Sequence, residues 1–186
     1  MSSLSLVFIW LDRRSGNLPD RRSGNLPGGN QKLKEKFRKL LSPIRQFDKP
    51  NSCLDSIELS LKDKCVFFLT SDSFADEEFL KKIASIPNIY RIYIYDQQGN
   101  SYQFDDANLI KKLGSERIIQ FDEQLYKQIL LDLIKIYSKE SDQAGQGKQA
   151  KELLESAVKL INTIDDKDED LQQLEKYLLT RIGYLK

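Results

Sequence analysis

The chain has 186 residues, with 29 Lys and Arg against 28 Asp and Glu, and 40% of its residues are hydrophobic. It is long enough for one compact domain, or for one domain with a small appendage, and too apolar for wholesale disorder. The absence of His excludes Ser-His-Asp and Cys-His nucleophile systems and zinc sites with imidazole ligands. Any general base must therefore be a carboxylate, a Lys or a Tyr.

The first predicted element is a strand at residues 6–11, because a short run of aliphatic and aromatic residues is typical of a strand buried on both faces. An exact tandem repeat follows: residues 12–19 read Asp-Arg-Arg-Ser-Gly-Asn-Leu-Pro, and residues 20–27 repeat them. The density of Gly, Asn and Pro predicts a loop over residues 12–30. Because loop closure depends weakly on length, this loop should tolerate added residues.

Strands and helices alternate after this loop. Asn30 can cap a helix that ends near Pro43, and Asn51 can cap the next one. The remaining predictions, in chain order, are strands at 44–47, 65–70, 89–95 and 117–121, helices at 77–86 and 109–113, and a long helix from residue 122 to about 140. Alternation of short apolar strands with helices predicts an α/β fold, a doubly wound parallel sheet with the flavodoxin-like order 2-1-3-4-5.

The C-terminal third is predicted to be helical. The long helix carries an apolar stripe too wide for the sheet alone to cover, and two further amphipathic segments follow at 153–164 and 171–182. We therefore expect an α/β domain at residues 1–140 and a helical hairpin appendage at 149–186 that packs on the long helix. The alternative is that the hairpin begins an array of helical repeats.

Two features predict a cytoplasmic protein. Cys53 and Cys65 are flanked by apolar residues, which indicates two small core residues in a reducing compartment. The apolar run at residues 4–11 has no Lys or Arg before it and no cleavage site after it, so it is a poor signal peptide. It is also too short to span a bilayer, so we expect no membrane span. We expect no cofactor and no metal.

Charge is distributed unevenly along the chain. Residues 12–45 contain ten basic and three acidic side chains, so the rest of the chain is net acidic. This polarity favours an acidic protein partner for the basic segment and permits front-to-back self-association. Nucleic acid is not expected, because no aromatic residues alternate with the basic ones to stack on bases.

Ligands of open α/β sheets bind beyond the carboxyl ends of the strands. Polar residues follow the predicted strands there, and the candidate binding residues are Asp12, Arg13, Arg14, Thr70, Ser71, Asp72 and Asp96. Asp is also a preferred turn former and helix cap, so each acid has a structural explanation as well.

The strand-final Asp12, the run VFFLTSD at 66–72 and the run IYIYD at 92–96 resemble a receiver domain of two-component signalling. Receivers carry paired acids after strand one, a phospho-accepting Asp at strand three, Ser or Thr at strand four and Lys at strand five. Here Asp12 is a single acid, the fourth strand ends in Tyr95, and no Lys follows Phe121. The resemblance therefore implies a degenerate magnesium and phosphoryl site.

A wider resemblance covers about residues 4–140. The runs LVFIWLD and RIYIYD resemble receiver-like modules that lie N-terminal to helical repeats or ADP-ribosyltransferase domains. Such a position implies a regulatory or adaptor role.

Residues 65–83 (CVFFLTSDSFADEEFLKKI) are also similar to a stretch of TIR domains, in which a hydrophobic strand and a Ser-containing turn lead to a helix with a Glu. In enzymatic members this Glu helps to cleave NAD, which makes Glu77 or Glu78 the catalytic candidate. The aromatic-Cys pair that normally precedes the Glu is missing. Glu in a first helical turn is also explained by the helix dipole.

The sequence thus favours a non-catalytic signalling adaptor, a protein-interaction module with a degenerate receiver-like site. One alternative is a TIR-like NAD-cleaving hydrolase. Another is residual phospho-signalling at Asp72, assisted by Asp12 and magnesium.

Overall fold

The computed structural model describes residues 5–13, 31–40, 43–164 and 167–185, and the side chains of all of these except residues 31–34 and 114–117. The helices and strands are β1 (Leu6–Leu11), α1 (Gln31–Leu40), β2 (Ile44–Phe47), α2 (Pro50–Ser60), β3 (Cys65–Ser71), α3 (Glu77–Ser85), β4 (Ile89–Tyr95), α4 (Ala107–Lys112), β5 (Leu113–Ile119), α5 (Asp122–Ala144), α6 (Lys148–Ile161) and α7 (Glu169–Tyr184). The predicted loop lies outside the described residues from residue 14 onward, as does the predicted cap Asn30.

The five strands form one parallel sheet in the order β2-β1-β3-β4-β5. This order confirms the predicted flavodoxin-like α/β fold. The central strand β3 pairs with β1 from Leu6 opposite Cys65 to Leu11 opposite Thr70, and with β4 as far as Ser71 opposite Tyr95. The carboxyl ends of β1, β3 and β4 therefore lie side by side.

The two faces of the sheet carry different side chains. One face has mostly aliphatic residues such as Ile9, Val66 and Ile94, which share a core with buried residues of α2, α3 and α4. The other face is aromatic: the rings of Phe8 and Phe67 have centroids 4.9 Å apart. Strands that are apolar on both faces need cover on both sides, which explains the continuous hydrophobic runs of the sequence.

Several element boundaries differ from the predicted ones, and two of the differences have a clear physical reason. Helix α2 begins at Pro50 rather than after Asn51, because Pro fits the first helical position, where its missing N–H is not needed. Strand β5 spans Leu113–Ile119 rather than 117–121, because pairing with β4 fixes its position, with Ile118 opposite Ile94.

The cysteines differ in environment. Cys53 is fully buried, and burial raises the pKa of its thiol to about 12, so it is an inert core residue. Cys65 at the start of β3 is partly buried, and the two cysteines do not form a disulfide. None of the helices in the described part of the chain is long and apolar enough to cross a membrane.

The chain divides into two compact units, residues 1–126 and residues 127–186, so the boundary lies inside α5. The sequence placed the division between residues 140 and 149. Within the second unit, α6 and α7 form a hairpin, and α7 is joined to the C-terminal part of α5 by ion pairs at both ends, Asp168 with Lys127 and Arg181 with Asp142. Helix α7 therefore runs parallel to α5.

Candidate functional site

The carboxyl edge of the sheet brings together four of the predicted binding residues. Asp12, Thr70, Ser71 and Asp96 end or follow β1, β3 and β4, and each is at most 6% exposed. Asp12 is fixed by its backbone N–H, which donates to the Phe47 carbonyl at 3.0 Å. Such a concentration of buried polar groups at one edge is the arrangement expected of a ligand site in an open α/β sheet.

Ser71 ends the central strand. Among the described residues, its buried Oγ has no hydrogen-bond partner, whereas the neighbouring Thr70 Oγ1 donates to the Ser71 carbonyl at 3.2 Å. A buried hydroxyl without a partner costs about 1–3 kcal/mol in lost hydration. The Ser71 hydroxyl therefore has hydrogen-bonding capacity left for a ligand.

Asp96 anchors the loop that follows β4. Its Oδ1 accepts from the Gln98 N–H at 2.9 Å, and its Oδ2 accepts from the Asn100 N–H at 2.7 Å and from the Tyr102 hydroxyl at 3.2 Å. Burial acts to raise the pKa of Asp96, but these hydrogen bonds outweigh it and hold the pKa below its ordinary value. Burial and the carboxylate together raise the pKa of Tyr102 to about 12.

The turn in this loop requires a glycine. Gly99 has φ +70°, and its N–H donates to the Asp96 carbonyl at 3.3 Å. A Cβ at this position would lie 2.2 Å from Gln120 Nε2. Residues 96–100, Asp-Gln-Gln-Gly-Asn, thus form a turn that folds the loop back onto the Asp96 carboxylate.

A second pair lies beside this loop. The Tyr95 hydroxyl donates to Asp122 Oδ1 at the start of α5, and Gln97 Nε2 donates to the same hydroxyl at 2.7 Å. Burial, and then the bond to Asp122, raise the pKa of Tyr95. At neutral pH Tyr95 is therefore a protonated donor that ties the end of β4 to α5, not a general base.

The other predicted residues lie at the surface of this edge or outside the described residues. Asp72 starts a short 3-10 turn, Asp72–Phe74, and its carbonyl accepts from the Ala75 N–H at 3.1 Å. The Arg13 guanidinium lies over the Phe74 ring, 5.6 Å from its centroid. Arg14 lies outside the described residues.

The TIR-like candidates lie in the first turn of α3. Glu77 Oε1 accepts from the Asp105 N–H at 3.1 Å and pairs with Lys81 at 3.0 Å. The Asp105 amide, and then Lys81, lower the pKa of Glu77, while Glu78 is exposed. Glu77 therefore ties α3 to the loop before α4.

Metal ligation has little support in this geometry. Within the described residues, no group of three or more His, Cys, Asp or Glu side chains is arranged to hold a metal ion. Two of the acids at the edge, Asp96 and Asp122, accept hydrogen bonds from neighbouring side chains and amides. Carboxylates used in this way have fewer lone pairs for a cation.

The sequence places Tyr95 and Asp122 at the carboxyl ends of strands, but the predicted binding residues include neither of them, nor Tyr102. Tyr95 ends a strand, Asp122 begins a helix, and Tyr102 lies in a loop. Residues of these types are common at such positions, so no motif distinguishes them. The sequence offers one weak signal for the two tyrosines, which is that Tyr95 and Tyr102 lie close to Asp96 along the chain. Their pairing becomes apparent only when the sheet places the end of β4 against the start of α5.

Comparisons of the chain with models of known protein families, with curated proteins and with solved structures found no match. The functional interpretation therefore depends on the site itself.

Proposed function

We propose that this chain is a non-catalytic regulatory module, a signalling adaptor of receiver-like architecture that binds an acidic protein partner. The observation that carries the proposal is the Asp96 carboxylate, which accepts three hydrogen bonds from its own loop. A carboxylate that served a ligand at this edge would keep its acceptor lone pairs for that ligand. Here it stabilises the loop instead.

The acidic character of the partner follows from the basic segment at residues 12–45. Its described part includes Arg13 after β1 and the exposed Arg38 and Lys39 at the end of α1. Basic residues at a helix C-terminus are also favourable to the helix itself, so the excess over the whole segment is the stronger argument. Ten basic against three acidic residues attract an acidic surface.

Catalytic alternatives are tested with the purified full chain. The proposal predicts no release of nicotinamide from NAD at high protein concentration, and the Glu77→Gln/Glu78→Gln variant serves as the matched control. Turnover by the wild type that disappears in this variant would establish the TIR-like hydrolase. The proposal also predicts that magnesium with beryllofluoride leaves the amide NMR signals of Asp12 and Asp72 unchanged, whereas specific shifts there would support phospho-signalling.

Binding is tested with a fluorescein-labelled polyglutamate peptide. The variant Arg13→Glu/Arg14→Glu/Arg21→Glu/Arg22→Glu should bind it at least about tenfold more weakly than the wild type, because four attractive charges become repulsive. The matched control makes the same charge change elsewhere, with Lys139, Lys148, Lys151 and Lys159 each replaced by Glu. Equal losses in both variants would show that only net charge matters and would contradict the assignment of this surface.

A further inference from the structure

The opposite edge of the sheet, where the strands begin, has a groove that the sequence analysis did not anticipate. It lies beside the starts of β3 and β4 and the end of α4, and it has a volume of about 660 Å³. The described residues that line it include five basic side chains against one acid: Lys62, Lys64, Arg91, Lys111 and Lys112 against Asp63. The groove is therefore strongly electropositive.

Two lysines of the groove, Lys64 and Lys112, form hydrogen bonds that do not neutralise its positive charge. Lys64 Nζ donates to Ser5 Oγ at 2.8 Å, and Lys112 Nζ donates to the Ile86 carbonyl at 2.7 Å. Both acceptors are neutral, so they orient the ammonium groups without cancelling their charge. Burial, and then the neighbouring charge of Lys111, lower the pKa of Lys112.

An apolar shoulder adjoins the groove. A second hollow of about 600 Å³ shares Lys62, Pro87 and Asn88 with it. This hollow is lined in addition by Ile57, Glu58, Leu59, Ser85 and Ile86, and Leu59 is 77% exposed, a large value for a leucine. A basic groove continuous with an exposed leucine offers both charge and apolar contact to one ligand.

The aromatic groups favour a peptide over a single-stranded nucleic acid. Tyr90 is the aromatic residue of the groove lining. The Arg91 guanidinium lies over its ring, 5.5 Å from the centroid, and the Phe67 ring packs 5.3 Å away. With the ring covered in this way, the groove lacks the open aromatic platform on which bases stack.

We propose that the groove at the amino edge of the sheet binds an extended acidic segment of a protein partner, with one apolar side chain of that segment on Leu59 and Pro87. The inference rests on the proposed function as an adaptor for acidic partners, and it assigns that role a second surface. The carboxylates of the segment pair with Lys62 and Lys111, whose side chains are exposed. Screening by salt should therefore weaken binding.

The experiment uses the full chain and a short fluorescein-labelled peptide of Asp and Glu with one central Leu. Fluorescence anisotropy should show binding that is about tenfold weaker in Lys62→Glu/Lys111→Glu, and several-fold weaker in Leu59→Ser. The control variant Lys148→Glu/Lys151→Glu, which changes two exposed lysines of the second unit, should bind within about twofold of the wild type. Circular dichroism verifies that each variant is folded.

Several outcomes would overturn the proposal. One is equal affinity of the wild type and the Lys62→Glu/Lys111→Glu variant, and another is equal loss in that variant and the control. Tighter binding of a labelled single-stranded oligonucleotide than of the peptide would assign the groove to nucleic acid. Binding that is lost only in the four-arginine variant would leave the adaptor function standing and place the contact at the basic segment. Turnover of NAD would instead remove the adaptor function, whatever the groove binds.

Discussion

Asp96 is the residue on which the loop after β4 most depends, since its carboxylate accepts from two amides and one hydroxyl. Replacing Asp96 by Asn substitutes a donor for one of the acceptor oxygens. We expect a loss of about 2 kcal/mol in the free energy of unfolding, because buried donors lose a charged acceptor. Urea denaturation at neutral pH measures this loss, and Asp105→Asn, at an exposed carboxylate in the same loop, should cost little.

The same group makes stability depend on pH. The pKa of Asp96 is lower in the folded chain than its ordinary value of 3.8. Its contribution is therefore complete above that value and is lost as the pH falls through the folded-state pKa. The stability difference between the wild type and Asp96→Asn should shrink in this acidic range, and a difference that grows there would contradict the assignment.

Replacement of Ser71 by Ala should not destabilise the fold, unlike the same change at a buried serine that forms a hydrogen bond. Its Oγ has no partner among the described residues, so Ser71→Ala should leave the free energy of unfolding unchanged or raise it by about 1 kcal/mol. Ser141 provides the matched control, since its buried Oγ donates to the Ala150 carbonyl at 3.1 Å. Ser141→Ala should cost about 1 kcal/mol in the same denaturation experiment. A similar cost at Ser71 would reveal a bond that its hydroxyl makes.

At the scale of elements, Asp106 is the N-terminal cap of the six-residue helix α4. Its Oδ1 accepts from the Leu109 N–H at 2.7 Å, at the N-terminus of α4. Asp106→Ala should lower the free energy of unfolding by about 1 kcal/mol, because the amide loses its cap. Asp106→Ser keeps an acceptor and should recover most of this loss. Chemical denaturation monitored by circular dichroism distinguishes the two variants, and equal losses in both would argue against capping.

The second copy of the octapeptide, residues 20–27, should contribute to binding and very little to the stability of the fold. Deletion of residues 20–27 shortens the connection between β1 and α1 from 19 to 11 residues. The change in loop-closure entropy is worth about 0.5 kcal/mol, so the melting temperature should barely move. The deletion also removes Arg21 and Arg22, so affinity for the polyglutamate peptide should fall. A large loss of stability would show that the second copy makes contacts that the fold needs.

Elements with strong local signals were predictable from the sequence. The strands β1, β2 and β4 begin and end at the predicted residues. Each is flanked by turn-forming residues that do not continue a strand. Strand β5 was displaced, since its limits depend on pairing with Ile94 and Tyr95 across the sheet. Likewise, the sequence placed Asp96 at the end of a strand, but the bond from Tyr102 and the link from Tyr95 to Asp122 depend on the folded loop.

Considered as a whole, the first unit has two edges of different chemical character. Acids and hydroxyls occupy the carboxyl edge, and lysines surround the groove at the amino edge. The first set was predictable from the sequence, since strand-final residues are recognisable once the strands are assigned. The second was not, because Lys62, Arg91 and Lys111 lie in a loop, a strand and a helix that are far apart along the chain.

The position of β1 between β2 and β3 has a consequence for synthesis of the chain. The six residues Leu6–Leu11 are all apolar and leave the ribosome before the other strands of the sheet, yet their main partner, Cys65–Ser71, follows some 60 residues later. Until then, β1 has only the four-residue strand β2 to pair with. Nascent chains arrested before β3 should therefore expose an aggregation-prone segment, and protection of β1 from protease should begin only when β3 has emerged. The order of strands in the sheet thus predicts an interval during translation in which an apolar strand lacks its main partner.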